Sequence, residues 1–217
     1  MKGYRISILR HGRTEANENG IYIGKTDLPL SEKGREELVE KYELHEYPKV
    51  QKVYSSPLER AVQSAEILFP DRELVVVDDL REMDFGVFEG LSVHDLVELD
   101  SYKKWLKGGL DNAPPNGESL REMMVRCFTS LNMIILDMMN EGVTHAGVVT
   151  HSGILMNMMS CFGLPKMKPM EFACEPGEGY EILVSAMLWQ NGYTFEILGK
   201  IPGYGGVGIN DSGEEIV

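Results

Sequence analysis

Short apolar runs and period-two alternation predict a series of strands in the first 150 residues of the chain. Tyr4, Ile6 and Ile8 alternate with polar neighbours, which is typical of a strand that is buried on one face. Three further strands are predicted at 52–55, 74–77 and 146–150. Stretches with helical periodicity separate these strands, and this alternation favours a mainly parallel sheet covered by helices.

Serine residues mark most of the predicted helix starts, because a serine side chain can accept a hydrogen bond from the first helical turn. Ser31 predicts a helix that runs to about residue 42. Ser56, Pro57 and Glu59 together have the pattern of a capped helix start, with the serine as the N-cap. Three more helices are predicted at about 92–106, 119–140 and 153–162.

The last part of the chain has a different pattern. Two strand-like runs, 180–190 and 193–198, flank the dipeptide Asn191-Gly192, which is typical of a tight hairpin turn. The whole pattern predicts an α/β fold. We expect a three-layer α/β/α sandwich with a central, mostly parallel sheet and an antiparallel edge strand.

The length of the chain favours a single domain over 1–217. The segment at about 92–140 contains predicted helices and no predicted strand, so we interpret it as a helical excursion from the sheet. From 199 onwards the sequence is rich in glycine and acidic residues, which predicts an irregular tail over 199–217.

Composition and charge exclude several classes of protein. The chain is 43% hydrophobic and 25% charged, which excludes a disordered protein. Its net charge is −13, so neither a nucleic acid nor a membrane surface is an expected partner. No apolar run is long enough for a signal peptide or a membrane span. The cysteines form no CxxC pair, and we therefore expect a cytoplasmic protein with free thiols.

Residues that suit phosphate chemistry follow the predicted ends of four strands, where parallel sheets bind their ligands. Arg10 and His11 follow the first strand, Arg60 the second, Glu82 the third and His151 the fourth. Arginine presents a planar fork to phosphate oxygens, a neutral imidazole can attack phosphorus, and a carboxylic acid can protonate a leaving oxygen. Each residue alone also fits a purely structural role. Together they indicate a site for a phosphate monoester.

The same residues lie in motifs that jointly are highly specific. These are LRHGRTEAN (9–17), YIGKTDLPLSEKG (22–34), SSPLERAVQSA (55–65), LREMDFGVFEG (80–90), NGES (116–119) and VTHSG (149–153). From about Tyr4 to Leu198 the chain resembles the histidine phosphatase superfamily. The resemblance implies a phosphoglycerate mutase-like fold and chemistry that passes through a phosphohistidine.

The resemblance implies catalytic roles for five residues. His11 is implied to be the nucleophile, and Glu82 the proton donor and then the base that activates water. Arg10, Arg60 and a protonated His151 are implied to hold the phosphoryl oxygens. These three side chains can supply the positive charge that phosphoryl transfer needs, so neither a metal ion nor a cofactor is expected.

The resemblance also implies residues that contact the substrate or order the site. Asn17 matches a position that contacts the phosphate, and Thr14 matches a threonine that orders the nucleophile loop. Gly24 falls where the backbone approaches the substrate, and Ser152 stands where many relatives have glycine. Glu118 begins the helix that borders the pocket, and the resemblance assigns it no defined role.

A hydrolase is favoured over a mutase because the segment 100–115 is short. Mutases of the superfamily carry a longer insertion with extra arginines there, whereas this chain offers Lys103, Lys104 and Lys107. In length and motifs the chain resembles phosphatases of α-ribazole 5′-phosphate, and it resembles broad-specificity sugar, nucleotide or phosphoserine phosphatases almost as closely. The expected partner is a small phosphorylated substrate, and the expected state is a monomer or a homodimer. A mutase and a catalytically silent phosphate-binding module are the alternatives.

Overall fold

The computed structural model describes residues 3–203 and the backbone of 208–209 and 215–216. One sheet contains the strands β1 (Gly3–Arg10), β2 (Lys52–Ser55), β3 (Leu74–Val76), β4 (His145–Thr150), β5 (Gly163–Leu164), β6 (Gly179–Ser185) and β7 (Phe195–Ile201). A separate pair is formed by β8 (Gly208–Ile209) and β9 (Glu215–Ile216). The strands predicted before residue 150 are confirmed to within a residue or two.

Helices occupy most of the intervals between the strands. They are α1 (Glu15–Glu18), α2 (Glu32–Leu44), α3 (Glu59–Leu68), α4 (Val93–Leu96), α5 (Asp100–Leu106), α6 (Leu120–Glu141), α7 (Ser152–Phe162) and α8 (Ala186–Gly192). Short 3-10 turns occur at Asp78–Leu80, Gly86–Phe88 and Pro169–Phe172. The helices predicted after Ser31, Ser119 and residue 153 are confirmed as α2, α6 and α7.

The strand order of the sheet is β3-β2-β4-β1-β6-β7-β5. The first four of these strands pair in parallel, as predicted for a mostly parallel sheet. Strand β6 is antiparallel to both of its neighbours, β1 and β7. The antiparallel strand therefore lies inside the sheet and not at its edge, because β7 turns back beside β6 and β5 then pairs in parallel with β7.

Apolar side chains cover both faces of the sheet. Ile6 and Ile8 of β1 belong to a core cluster that includes buried residues of α6 and α7. Leu9, the next residue along the strand, belongs to a second cluster with Leu38 of α2 and Ala61 of α3. Successive strand residues point to opposite faces, so these contacts place helices on both sides of the sheet. This arrangement is the predicted three-layer sandwich.

The strand order brings the carboxyl ends of β2, β4 and β1 side by side. Arg10 pairs with Thr150 of β4, and Ser55 of β2 pairs with Val149 of β4. The residues that follow these strands, His11, His151 and Ser56, therefore meet at one edge of the sheet.

The hairpin predicted at Asn191-Gly192 is wrong. These two residues form the end of helix α8, whose start is capped by the Ser185 hydroxyl. Trp189 explains the difference, because its ring stacks on Phe128 at 5.9 Å and its indole nitrogen donates to Asn132 at 3.1 Å. Strands β6 and β7 still pair as antiparallel neighbours, but a helix rather than a tight turn connects them.

The capped helix start predicted at Ser56 is also wrong. Helix α3 begins at Glu59, and the Leu58 at its N-cap provides no side-chain hydrogen bond. The backbone N–H of Glu59 donates instead to the carboxylate of Asp27 at 2.7 Å. A residue that is distant in the sequence therefore accepts from the first N–H of the helix, whereas the Ser56 hydroxyl accepts from the backbone N–H of Leu58 at 3.3 Å and contacts His151.

Two further boundaries differ from the predictions. The single helix expected at about 92–106 is two short helices: α4 ends at Leu96, and α5 starts at Asp100. The irregular tail was expected from 199, but Gly199–Ile201 continue strand β7. The rest of the tail prediction falls largely on 204–207, 210–214 and 217, which lie outside the described residues.

No helix in the described part of the chain is long and apolar enough to cross a membrane.

Candidate active site

His11 lies directly after β1 and is almost fully buried, with 5% of its surface exposed. Its Nδ1 is 2.5 Å from the carbonyl oxygen of Gly12. A carbonyl can only accept, so Nδ1 carries the proton and Nε2 keeps a free lone pair. Burial, followed by the positive charges of Arg60 and Arg10, lowers the pKa of His11 to about 3. The imidazole is therefore neutral at physiological pH, as a nucleophile must be.

His151 lies directly after β4 and is fully buried, with its ring centre 5.0 Å from that of His11. The Nε of Arg60 donates to its Nδ1 at 3.3 Å, and its Nε2 is 2.7 Å from the hydroxyl of Ser56. Because a guanidinium only donates, Nδ1 must be unprotonated and Nε2–H donates to Ser56.

These hydrogen bonds describe a neutral His151, and its protonated form stays a prediction for the site with phosphate bound. Burial, followed by the nearby His11 and Arg60, lowers the pKa of His151 well below its usual range. A bound phosphate dianion would oppose these effects, because a nearby negative charge favours the imidazolium. In this structure the fixed positive charge near His11 comes from the arginines.

Arg60 connects α3 to the loop after α1 and is 1% exposed. Its Nη2 donates to the carbonyl of Gly24 at 2.7 Å, and its Nη1 donates to the carbonyl of Thr26 at 2.9 Å. A side chain at position 24 would place its Cβ 1.8 Å from the carbonyl oxygen of Met83. Glycine at this position therefore allows the loop to lie against the segment that carries Glu82 while its carbonyl orients Arg60.

One guanidinium nitrogen of Arg10, Nε, is shielded from solvent. The Nη1 of Arg10 donates to the carbonyl of Cys174 at 2.7 Å. Among the described residues no acceptor reaches its Nε, although that atom is shielded from solvent. A buried guanidinium donor normally has an acceptor, so this nitrogen is suited to an oxygen of a bound anion.

Glu82 follows the 3-10 turn after β3 and is 7% exposed. Its two oxygens accept hydrogen bonds from the backbone N–H groups of Met83 and Gly153, both at 2.9 Å. Burial raises the pKa of the carboxyl group, against those two amides and the charges of Arg60 and Arg126. A raised pKa keeps the proton that a general acid has to donate.

The remaining predicted substrate contacts lie at the starts of helices. Thr14 and Asn17 form a reciprocal capping box around α1, with Asn17 N–H donating to the Thr14 hydroxyl at 3.3 Å. The box engages the Oδ1 of Asn17 and leaves its amide nitrogen for other contacts. Ser152 is the first residue of α7, so its backbone N–H has no partner within the helix.

Several residues that the sequence analysis did not assign also order the site. Ser56 accepts from His151, and the hydroxyl of Ser64 accepts from the backbone N–H of Gly12 at 2.8 Å. Glu89 accepts from the backbone N–H groups of Lys25 and Thr26, both at 2.9 Å. Glu118, which had no assigned role, pairs with Arg126. These contacts join distant segments, so no local sequence pattern indicates them.

The Ser56 hydroxyl fixes the orientation of His151, which leads to a prediction for Ser56→Ala. The substitution leaves the Nε2–H of a buried histidine without an acceptor, which costs about 1–3 kcal/mol. We expect a matching loss in the free energy of unfolding and about a tenfold loss in turnover, because the ring is less firmly held. Chemical denaturation and kcat/KM measure the two effects.

Ser130→Ala is the matched control for Ser56→Ala. Ser130 is a buried serine of α6 whose hydroxyl donates to the carbonyl of Cys127 within the same helix. Its variant should keep wild-type turnover. Unchanged stability and turnover in Ser56→Ala would contradict the role given to Ser56.

The arrangement joins a neutral buried imidazole, two arginines and a buried carboxyl group of raised pKa at one edge of the sheet. A family model described as the histidine phosphatase superfamily (branch 1) matches residues 6–190. The chain belongs to the histidine phosphatase superfamily.

Known proteins similar to this histidine phosphatase carry phosphatase and mutase-like names. The adenosylcobalamin/alpha-ribazole phosphatase of Escherichia coli (strain K12) is 29% identical over 178 residues, covering 80% of this chain and 86% of that protein. Phosphoglycerate mutase-like protein 4 of Arabidopsis thaliana is 32% identical over 164 residues, covering 70% and 68% of the two chains. With the family match, these similarities identify the chain as a phosphatase enzyme.

The fold also matches solved structures. The crystal structure of the alpha-ribazole phosphatase from Shigella flexneri superposes with a TM-score of 0.72 at 24% identity, covering 89% of this chain and 94% of that chain. At this identity the match concerns the fold alone. It agrees with the predicted phosphoglycerate mutase-like architecture.

Proposed function

We propose that this histidine phosphatase hydrolyses a small phosphomonoester without a metal ion, through a phosphohistidine on Nε2 of His11. The hydrogen bond from Nδ1 of His11 to the Gly12 carbonyl is the observation that carries the proposal. It leaves Nε2 as the nucleophilic atom of a neutral, buried ring. Arg10 and Arg60 supply fixed positive charge for the phosphoryl oxygens.

The reaction has two chemical steps in this proposal. Nε2 of His11 attacks phosphorus, the bond from phosphorus to the ester oxygen breaks, and the Glu82 carboxyl group gives its proton to that oxygen. The Glu82 carboxylate then takes a proton from water as the water oxygen attacks the phosphohistidine. The nitrogen–phosphorus bond breaks, inorganic phosphate leaves, and both side chains return to their starting states.

We propose α-ribazole 5′-phosphate as the substrate. The names of the similar enterobacterial phosphatases support this choice. A group of half-buried aromatic rings also supports it, since Tyr22 contacts Phe85 at 5.0 Å and Trp105 at 6.0 Å between ring centres. Tyr22 lies two residues before Gly24, and Phe85 lies three residues after Glu82. Aromatic rings on the segments that carry Gly24 and Glu82 suit a leaving group that carries a heterocyclic base.

A mutase is the second candidate, because the similar Arabidopsis protein has a mutase-like name. Lys103, Lys104 and Lys107 lie in and directly after α5. Isomerisation requires that the phosphoryl group return from the histidine to a second hydroxyl group. Water competes directly with that return, so the two activities are separable by their products.

The first experiment measures phosphate release from a panel of esters in the presence of a chelator. The panel contains α-ribazole 5′-phosphate, phosphoserine, 3-phosphoglycerate, sugar phosphates and nucleotides. We expect α-ribazole 5′-phosphate to be hydrolysed fastest. Faster hydrolysis of another ester would contradict the proposed substrate and identify that ester in its place. Loss of activity with chelator would contradict the metal-independent mechanism. Conversion of 3-phosphoglycerate to its isomer with a bisphosphate primer would favour the mutase.

Glu82→Gln is expected to slow hydrolysis in proportion to the need for a proton on the leaving oxygen. We expect kcat/KM to fall about 10²–10⁴-fold for alkyl phosphates such as phosphoserine, the range that general acids contribute. The loss for 4-nitrophenyl phosphate should be much smaller, because nitrophenolate leaves without protonation. Equal losses for both esters would contradict the proton-donor role.

We further propose that the enzyme works in the cytoplasm on free small molecules, as a monomer or a homodimer, and binds neither nucleic acid nor membrane. Its cysteines, Cys127, Cys161 and Cys174, are free thiols, which suits a reducing compartment. Its net charge of −13 opposes binding to polyanions. Sedimentation equilibrium distinguishes the two oligomeric states, and retention on immobilised DNA or anionic vesicles would contradict the choice of partners.

A further inference from the structure

Arg126 of α6 uses every N–H of its guanidinium group around the segment that carries Glu82. Its Nη1 donates to the carbonyls of Asp79 and Arg81 at 2.8 and 2.5 Å, and its Nη2 donates to the carbonyl of Glu82 at 3.1 Å. The two remaining N–H groups go to the carboxylate of Glu118 at 2.6 and 2.7 Å. Arginine has five N–H donors, and all five have acceptors here.

Glu118 extends this contact to the other side of Glu82. Its carboxylate accepts from the backbone N–H of Asp84 at 3.4 Å, and its own backbone N–H donates to the carbonyl of Asp84 at 2.8 Å. The side chains of Arg126 and Glu118 are only 9% and 16% exposed. The backbone is thus held both before and after the proposed proton donor by one buried ion pair.

We propose that Arg126, oriented by Glu118, is the residue that positions Glu82 for proton transfer. Arg126 contacts the backbone of Glu82, so it acts through the acid. Proton transfer requires a donor within hydrogen-bond distance of the leaving oxygen, and small displacements of a catalytic group are costly. The inference rests on the proton-donor role given to Glu82 in the proposed function.

A buried ion pair is a costly way to hold a loop, which favours a functional reason for it. Two charges lose their hydration on burial, and an apolar pair of similar size is often at least as stabilising. Three backbone carbonyls that converge on one point nevertheless need several donors in a fixed plane, which only arginine provides. The pair therefore suits precise placement of the backbone at 79–84.

The positive charge of Arg126 also lowers the pKa of Glu82, so the pH dependence of the activity gives a second test of the inference. The groups that face the Glu82 carboxyl are Arg60 from α3, Arg126 and the Cys127 thiol from α6, and the backbone amides of Met83 and Gly153. The two arginines and the two amides favour the carboxylate, whereas burial favours the protonated acid. The thiol adds no charge, because burial raises the pKa of Cys127. Loss of the Arg126 charge therefore raises the pKa of Glu82, and loss of the Glu118 charge lowers it, because Arg126 is then uncompensated.

The test compares Arg126→Met and Glu118→Gln with the wild type on phosphoserine and 4-nitrophenyl phosphate across pH. We expect Arg126→Met to lose at least about tenfold more kcat/KM on phosphoserine than on 4-nitrophenyl phosphate. The acid must be protonated in the first step, so activity falls as pH rises through the pKa of Glu82. In the profile of kcat/KM against pH, the alkaline limb should move to higher pH in Arg126→Met and to lower pH in Glu118→Gln.

Arg121→Met is the matched control. Arg121 lies on the same helix and pairs with Asp111 through two hydrogen bonds, at 2.5 and 3.2 Å. This pair is exposed, and neither of its residues is assigned a role in the site. Its variant should keep wild-type rates and the wild-type pH profile. Arg126→Lys keeps the positive charge but lacks the planar guanidinium group. Its alkaline limb should therefore lie at the wild-type pH, while kcat/KM on phosphoserine should remain below the wild-type value.

The results separate this inference from the proposed function. If Glu82→Gln shows no dependence on the leaving group, the proton-donor role itself fails. The inference fails if Glu82→Gln shows that dependence but Arg126→Met loses the same factor in kcat/KM on both esters and its alkaline limb does not move. Arg126 would then only stabilise the fold. Glu118→Gln supplies the pH test on its own if Arg126→Met does not fold, and an alkaline limb unmoved or moved to higher pH would then overturn the inference.

Discussion

His11→Ala should abolish turnover, with a loss on the order of 10⁴-fold or more, as is found when a catalytic nucleophile is removed. The variant lacks the unprotonated Nε2 of a neutral imidazole, the atom that accepts the phosphoryl group in the proposed mechanism. Steady-state phosphate release measures the loss. Rapid quenching with ³²P-labelled substrate should trap a label in the wild type that is stable in base and labile in acid, as expected for phosphohistidine.

The control for this experiment is His94→Ala. His94 is an exposed histidine of α4, and its replacement should leave both turnover and labelling unchanged. Circular dichroism checks that His11→Ala is folded. A folded His11→Ala that still hydrolyses the ester, or that still takes up the label, would show that another residue is the nucleophile.

Arg60→Met should lower kcat about 10²–10³-fold, the cost found when a charge-stabilising donor is removed from an active site. The variant loses the positive charge that the proposed mechanism uses to stabilise the transferred phosphoryl group, and it also loses the donor to Nδ1 of His151. The carbonyls of Gly24 and Thr26 lose their buried partner as well, which costs about 1–3 kcal/mol for each group left unsatisfied. Both kcat and the free energy of unfolding should therefore fall.

Arg35→Met provides the comparison for Arg60→Met. Arg35 is an exposed arginine of α2, so its replacement removes the same charge from the molecule without touching the site. It should leave kcat within about twofold of the wild type, because exposed charges interact weakly. If both variants lost activity equally, net charge rather than the local guanidinium would matter.

Much of the framework is encoded by local patterns. The four residues 52–55 form the whole of β2, and the reciprocal pair of Ser119 and Glu122 caps α6. Strand alternation and capping involve neighbours within about four residues, which a sequence pattern can report. The positions of Arg10, His11 and Arg60 after their strands are local in the same sense.

Two predictions were wrong because contacts between residues far apart in the sequence determine the structure there. Asn191-Gly192 has the pattern of a hairpin, but Trp189 packs on Phe128 of α6 and holds the preceding residues in a helix. Ser56 has the pattern of a helix cap, but its hydroxyl binds a histidine 95 residues away. In both cases a tertiary contact outweighs a local preference of about 1 kcal/mol.

The sequence by itself determined the layered α/β architecture, the superfamily motifs and the residues placed at the strand ends. Only the tertiary structure decided the tautomers of His11 and His151, the contacts of Arg126, and the buried nitrogen of Arg10 that has no acceptor among the described residues. The physical reason is that a protonation state depends on burial and on every charge nearby, whatever its position in the chain. A buried donor likewise finds its acceptors in space, and the carbonyls that Arg126 binds lie 44 to 47 residues away.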